Sequence, residues 1–182
     1  MKKALIVIDV QNDYFKGGRF ELVNAEGALN NIKKLVSYFH DNGLSVFLIQ
    51  HISSKDGKFF VPGTEGIKIH ESLCGNSKDL VITKKYPNSF FKTDLKSELD
   101  KRNIDELFIC GMMTHMCVDT TVRAAFDYGY KVTLFSDACA TRDLSIGEKV
   151  IDASYVQDTY MASLSGMFAK VVTTDNISVI DR

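Results

Sequence analysis

Apolar residues in this chain gather in short unbroken runs, separated by longer stretches where they recur every three or four positions. Ala4 to Ile8 is the first run, the pattern of a strand covered on both faces. Leu44 to Ile49, Leu80 to Ile82, Leu107 to Ile109, Val132 to Phe135 and the Val171-Val172 pair repeat it. Between the runs, Leu29, Ile32, Val36 and Phe39 mark a helical stripe that ends near Asn42-Gly43. Leu95 and Leu99 predict a helix reaching Arg102, and Cys117, Val118, Thr121, Val122 and Ala125 one that stops near Gly129. Ile146, Val150, Ala153, Gln157, Tyr160 and Leu164 trace a long last helix. Strands alternating with helices imply parallel βαβ units with right-handed crossovers. The expected fold is a three-layer α/β/α Rossmann-like architecture with a six-stranded parallel sheet. With no internal repeat, two prolines and no evident linker, residues 1–182 read as one domain.

Composition narrows the partners. Of 182 residues, 45% are apolar and 25% charged, ordinary for a globular protein with a sizeable core. A net charge of −1 without a long basic run argues against nucleic acid and anionic membranes. No apolar stretch approaches the ~20 residues of a membrane span. The N-terminal run reaches Asp9 too early for a signal peptide and lacks a small-residue cleavage site. Cys74, Cys110, Cys117 and Cys139 show no CxxC pairing, which suits reduced thiols in a cytoplasm.

Ligands of such sheets sit beyond the C-terminal ends of the strands. Asp9 ends the first strand, with Gln11, Asn12 and Asp13 after it; Lys84 ends the third. Past the fourth, Gly111 punctuates the exit and Thr114 is an N-cap candidate, which sets Cys117 in the first turn of a helix. A helix start and a nearby ammonium favour a thiolate, whereas a carboxylate disfavours it and can accept the thiol proton. Lowering a thiol pKa by ~2 units takes about 2.7 kcal/mol. Either Lys84 dominates and the thiolate is pre-formed, or Asp9 takes the proton during attack. A glycine-rich nucleotide loop is not supported, because Asp9-Val10-Gln11-Asn12 follows the first strand and Gly17-Gly18 comes too late.

Three separated motifs carry a resemblance. Asp9-Val10-Gln11-Asn12-Asp13-Tyr14, Lys84 followed by Ser89-Phe90-Phe91-Lys92-Thr93-Asp94-Leu95, and Gly111-Met112-Met113-Thr114-His115-Met116-Cys117-Val118 resemble the isochorismatase-like cysteine hydrolases. The resemblance spans nearly the whole chain. It implies a catalytic triad of Asp9, Lys84 and Cys117. It also implies a cis peptide at Met112–Met113 that aims the Met113 N–H beside that of Cys117 as an oxyanion hole. Register in the family pattern favours Lys84 over Lys85, and strand alternation sends Lys85 to the opposite face. If another strand lies between the first and third, they are ~10 Å apart and Lys84 must lean inward.

Nicotinamidases of this superfamily carry an Asp-x-His metal cluster after the second strand. Gln50-His51-Ile52-Ser53 stands there instead, so no metal and no cofactor are expected, and His51 reads as a structural or pocket-wall residue. Gln11, Tyr14, Phe90 and His115 are candidate substrate-binding residues; Cys74, Cys110 and Cys139 are read as structural. The loop from Lys58 to Gly66 has exposed-looking aromatics and is expected to cover the pocket or to pack on a second subunit. The resemblance further implies assembly into a homodimer or higher homo-oligomer. Three activities compete: a cysteine-dependent hydrolase of a small amide or carbamoyl compound, an isochorismatase-type vinyl ether hydrolase releasing pyruvate, and a catalytically silent binding protein. Cys117 in the nucleophile position favours the first.

Overall fold

The structure is a computed structural model and describes residues 2–181. Six parallel strands form one sheet: β1 (Lys2–Ile8), β2 (Ser45–His51), β3 (Leu80–Lys84), β4 (Ile104–Met112), β5 (Lys131–Ala140) and β6 (Lys170–Val172). Their spatial order is β3-β2-β1-β4-β5-β6. The order reverses at β1 and β4, whose C-terminal ends therefore flank the crevice where such sheets bind ligands.

Alternation along β1 divides the core. Leu5 and Val7 face helix α1 (Ala25–Asp41) through Leu29, Ile32, Leu35 and Phe39. Ala4, Ile6 and Ile8 face the other layer with Leu95, Leu99, Val122 and Leu164. These belong to α2 (Leu95–Lys101), α3 (Asp119–Asp127) and α4 (Ala153–Leu164). Burying both faces of a strand explains why β1 is apolar without interruption. No helix among the described residues is long and apolar enough to cross a membrane.

Two predicted features are corrected. The stretch before α4 is not helical: Leu144–Ile146 and Lys149–Ile151 pair as an antiparallel hairpin, and α4 begins only at Ala153. Gly147, at φ +57°, makes the turn, and Ile146 and Val150 point to solvent. Thr114 does not cap a helix either. The chain leaves β4 in a π turn over Thr114–Val118 that runs into α3. Thr114 Oγ1 instead lies 2.6 Å from Gln157 Oε1 and 3.2 Å from the Ala140 carbonyl.

Candidate active site

Gly111 sets how closely the two central strands approach. It pairs with Ile8 at φ +126°, and a Cβ there would lie 2.1 Å from the Ile8 carbonyl oxygen. Only glycine fits. Asp9 follows Ile8 in a left-handed conformation, φ +50°, an arrangement that costs a non-glycine residue about 1 kcal/mol or more. The side chain is thereby turned inward and fully buried.

Lys84 closes the gap left by β2. Its Nζ lies 2.7 Å from Asp9 Oδ2, with both side chains at zero exposure, and it donates to the Pro87 carbonyl at 2.9 Å. Burial alone would lower the Lys84 pKa, but the Asp9 carboxylate and the Cys117 sulfur outweigh it and hold the ammonium above its usual range. Lys85 is exposed, as alternation requires. Asp9 Oδ1 has no hydrogen-bond partner in the protein.

Cys117 completes the cluster. It is buried, with its sulfur within 4.8 Å of an Asp9 carboxylate oxygen and close enough to Lys84 to feel its charge. Burial is the largest influence on its thiol and pushes the pKa up; Asp9 adds to that, and Lys84 only partly opposes it. Of the two protonation schemes, the resting neutral thiol is the one this environment favours. The Met112–Met113 peptide is cis. The Met113 carbonyl accepts from the Met116 and Val118 N–H groups, at 3.0 and 3.2 Å, and passes over Cys117 between them.

His51 enters this group although it reads from the pattern as a structural or pocket-wall residue. Its Nδ1 is 4.0 Å from Asp9 Oδ2, and burial lowers its pKa against the pull of Asp9. The available signal was positional: His51 pairs with Lys84 in register, on the strand between Lys84 and Asp9. Donor atoms of Asp9, His51 and Cys117 lie within 4.8 Å of one another. A cation placed among them would face the Lys84 ammonium at its shared carboxylate, so this donor set does not fit a metal.

The four candidate substrate-binding residues separate. Gln11 is committed to the backbone: its amide donates to the His51 and Ile67 carbonyls and accepts from the His51 N–H. Phe90 packs in the layer of α2 and α3, with ring centroids 5.1 Å from Tyr128 and 6.1 Å from Tyr130, among buried residues that also include Cys117. Tyr14 is buried beside the cluster. Burial, then Cys117 and then Asp9, raise its pKa well above the ordinary value. His115 Nδ1 lies 2.6 Å from Thr141 Oγ1, and burial, with Arg142 as the lesser cause, lowers its pKa to about 4.

The aromatics after Lys58 do not project outward. Phe60 is fully buried with its ring 4.6 Å from that of Tyr14, and Phe59 stacks on Phe20 at 4.4 Å. Asp13 holds this segment by accepting the Phe60 N–H at 2.6 Å, and Gly66 leaves room for its carboxylate. The loop thus packs on Tyr14 and His51 at the edge of the cluster. Cys110 and Cys139 are buried and Cys74 is exposed; all are free thiols. A cleft of about 530 Å³ lined by Lys33, His40, Leu73 and Cys74 is remote in the fold and contains none of the cluster residues.

The buried aspartate–lysine pair and the cysteine lie at the switch point of a parallel α/β sheet, and the isochorismatase domain family matches residues 3–176. The chain belongs to that family and is an isochorismatase-family hydrolase. It is 48% identical to YddQ of Bacillus subtilis (strain 168), an uncharacterized isochorismatase family protein, covering 96% of this chain and 98% of that one. Among solved structures it is similar to an isochorismatase from Pseudomonas putida KT2440, with a TM-score of 0.90, 34% identity and coverage of 96% and 89%. It is also similar to a cysteine hydrolase from Pseudomonas syringae pv. phaseolicola 1448A, with a TM-score of 0.91, 26% identity and coverage of 97% and 90%.

Proposed function

We propose that the protein is a cysteine-dependent hydrolase of a small amide or carbamoyl compound, working through Cys117, Asp9 and Lys84. The observation that carries this is the Asp9 carboxylate, held at Oδ2 by Lys84 and free at Oδ1 beside the Cys117 thiol. A base with one oriented and one open oxygen next to a neutral thiol is what general-base activation of a nucleophile needs.

In this reading the Cys117 sulfur attacks the carbonyl carbon as its proton passes to Asp9. The Met113 and Cys117 N–H groups receive the oxyanion. Collapse breaks the C–N bond, Asp9 returns the proton to the leaving nitrogen, and a thioester remains. Asp9 then takes a proton from water, hydroxide attacks the thioester, and the acid leaves as the sulfur regains its proton. Two relatives support the reaction type. Streptothricin hydrolase of Streptomyces noursei is 28% identical, covering 99% of this chain and 62% of its own. Ureidoacrylate amidohydrolase RutB of Acinetobacter baylyi is 28% identical, covering 75% and 69%.

The thiol must stay reduced, in keeping with a cytoplasmic location. Ile146, Val150 and Tyr155 are exposed apolar side chains of the kind a homo-oligomer contact would cover. The test is an amide panel read by ammonia release. Wild type should turn over at least one member through an acyl adduct visible in intact mass, and Cys117→Ala should lose adduct and turnover while keeping its fold. Pyruvate release from a vinyl ether by Cys117→Ala would instead establish the isochorismatase-type reaction.

A further inference from the structure

His51 closes β2, between the strands that supply Lys84 and Asp9. Its backbone is clamped from two sides. The Gln11 amide donates to its carbonyl at 2.9 Å and accepts its N–H at 2.8 Å. The next N–H, that of Ile52, donates to the Lys84 carbonyl at 2.9 Å. The Phe60 ring packs 6.0 Å from the imidazole. So held, the side chain is 16% exposed and sets Nδ1 4.0 Å from Asp9 Oδ2, with a ring nitrogen also within 4.8 Å of the Cys117 sulfur.

The other three histidines each commit a ring nitrogen to the protein: His40 to Asp79 at 2.7 Å, His70 to Ser72 at 3.0 Å and His115 to Thr141 at 2.6 Å. Among the described residues, His51 hydrogen-bonds only through its backbone. Its 4.0 Å gap to Asp9 is too long for a hydrogen bond and is a span that one bridging water covers. Asp9 Oδ1 is open as well. Burial lowers the His51 pKa, with Lys84 adding to that and Asp9 opposing it, so the ring is neutral near pH 7 and has one nitrogen able to accept. The pocket whose Lys84 ammonium repels a cation has no such quarrel with a neutral water.

We infer that His51 is a catalytic residue of the second half-reaction, whose ring nitrogen and the Asp9 carboxylate together hold the water that hydrolyses the thioester. The inference rests on the amidohydrolase reading and adds to it the residue that aims the water. One O–H of the water gives its proton to Asp9 while the other donates to the imidazole nitrogen, which leaves an oxygen lone pair facing the acylated sulfur. The new C–O bond forms, the C–S bond breaks, and Asp9 returns the proton to the sulfur. His51 keeps its own protonation state throughout. Acylation needs none of this, because there the attacking atom is the Cys117 sulfur itself.

The test separates the two half-reactions with p-nitrophenyl acetate as acyl donor. Nitrophenolate release with enzyme in excess reports acylation. The acetylated protein is then freed of donor, and loss of the acetyl group is followed by intact mass. His51→Leu should acylate within about twofold of wild type and lose the acetyl group about ten- to a hundredfold more slowly. His51→Gln, which keeps an acceptor, should fall between the two. Hydroxylamine, which needs no positioning by the protein, should discharge variant and wild type at the same rate. The inference is overturned if acetyl loss in His51→Leu is unchanged, if both half-reactions slow together, or if its adduct resists hydroxylamine. A wild type that forms no acetyl adduct abolished by Cys117→Ala would sink the thioester reading and this inference with it. A Cys117-dependent adduct whose decay ignores His51 would sink this inference alone.

Discussion

Lys84 Nζ reaches to 2.7 Å from Asp9 Oδ2 although β2 separates their strands. The left-handed backbone at Asp9 turns one partner inward, and the extended lysine spans the rest. Neither charge is exposed. Lys84→Ala would strand a buried carboxylate, so it should lower stability by about 3–5 kcal/mol and abolish turnover. Lys85→Ala, on the solvent face, should stay within about 0.5 kcal/mol of wild type. Urea denaturation of the two variants decides this. Equal small losses would mean that the pair is not a buried charge pair in solution.

The second prediction concerns the nucleophile. Burial, then Asp9, raise the Cys117 pKa, so its alkylation by iodoacetamide should be slow at neutral pH and still climbing above pH 9. The exposed Cys74 serves as an internal reference and should react faster in the same sample. Peptide mass spectrometry resolves the two sites. A Cys117 rate already level at pH 7 would demonstrate a pre-formed thiolate.

His115 predicts a pH dependence of stability. Its folded pKa of about 4 lies below the ordinary 6.5, so below pH 6.5 the unfolded chain binds the proton more readily. Its contribution is complete above about 6.5 and is lost as pH falls through about 4. His115→Gln should flatten that acid-side loss. Melting curves across the interval measure it, and identical slopes in variant and wild type would refute the assignment.

Phe90 separates core from pocket. Phe90→Ala should cost about 3–5 kcal/mol of stability, as for other buried aromatics, with KM unchanged within about twofold. A raised KM in a protein of normal stability would return Phe90 to the pocket wall.

The central strands were legible because they are covered on both faces and must be apolar throughout, and the edge strands β3 and β6 still carry short apolar runs. The hairpin was not, because Ile146 and Val150 are four apart and mimic a helical stripe while both face solvent. Gly147 in the turn was the readable sign. The positions of Asp9, Lys84 and Cys117 at strand ends and past a strand could be read from the pattern, and their resemblance to a family named them. What Gln11 and Phe90 touch depends on β2, the Ile67 carbonyl and α3, contacts that no local period records. The resting protonation of Cys117 was equally hidden, since desolvation exists only once the layers have closed.

The segment from Lys58 to Lys68 is fastened at several points to the strand ends beside the cluster. Phe60 hangs from Asp13, the Ile67 carbonyl is taken by both Gln11 and Gln50, and the Lys68 carbonyl accepts the Asn12 N–H. A segment riveted this way behaves as masonry and not as a door. Selectivity on that side is therefore a matter of fixed shape.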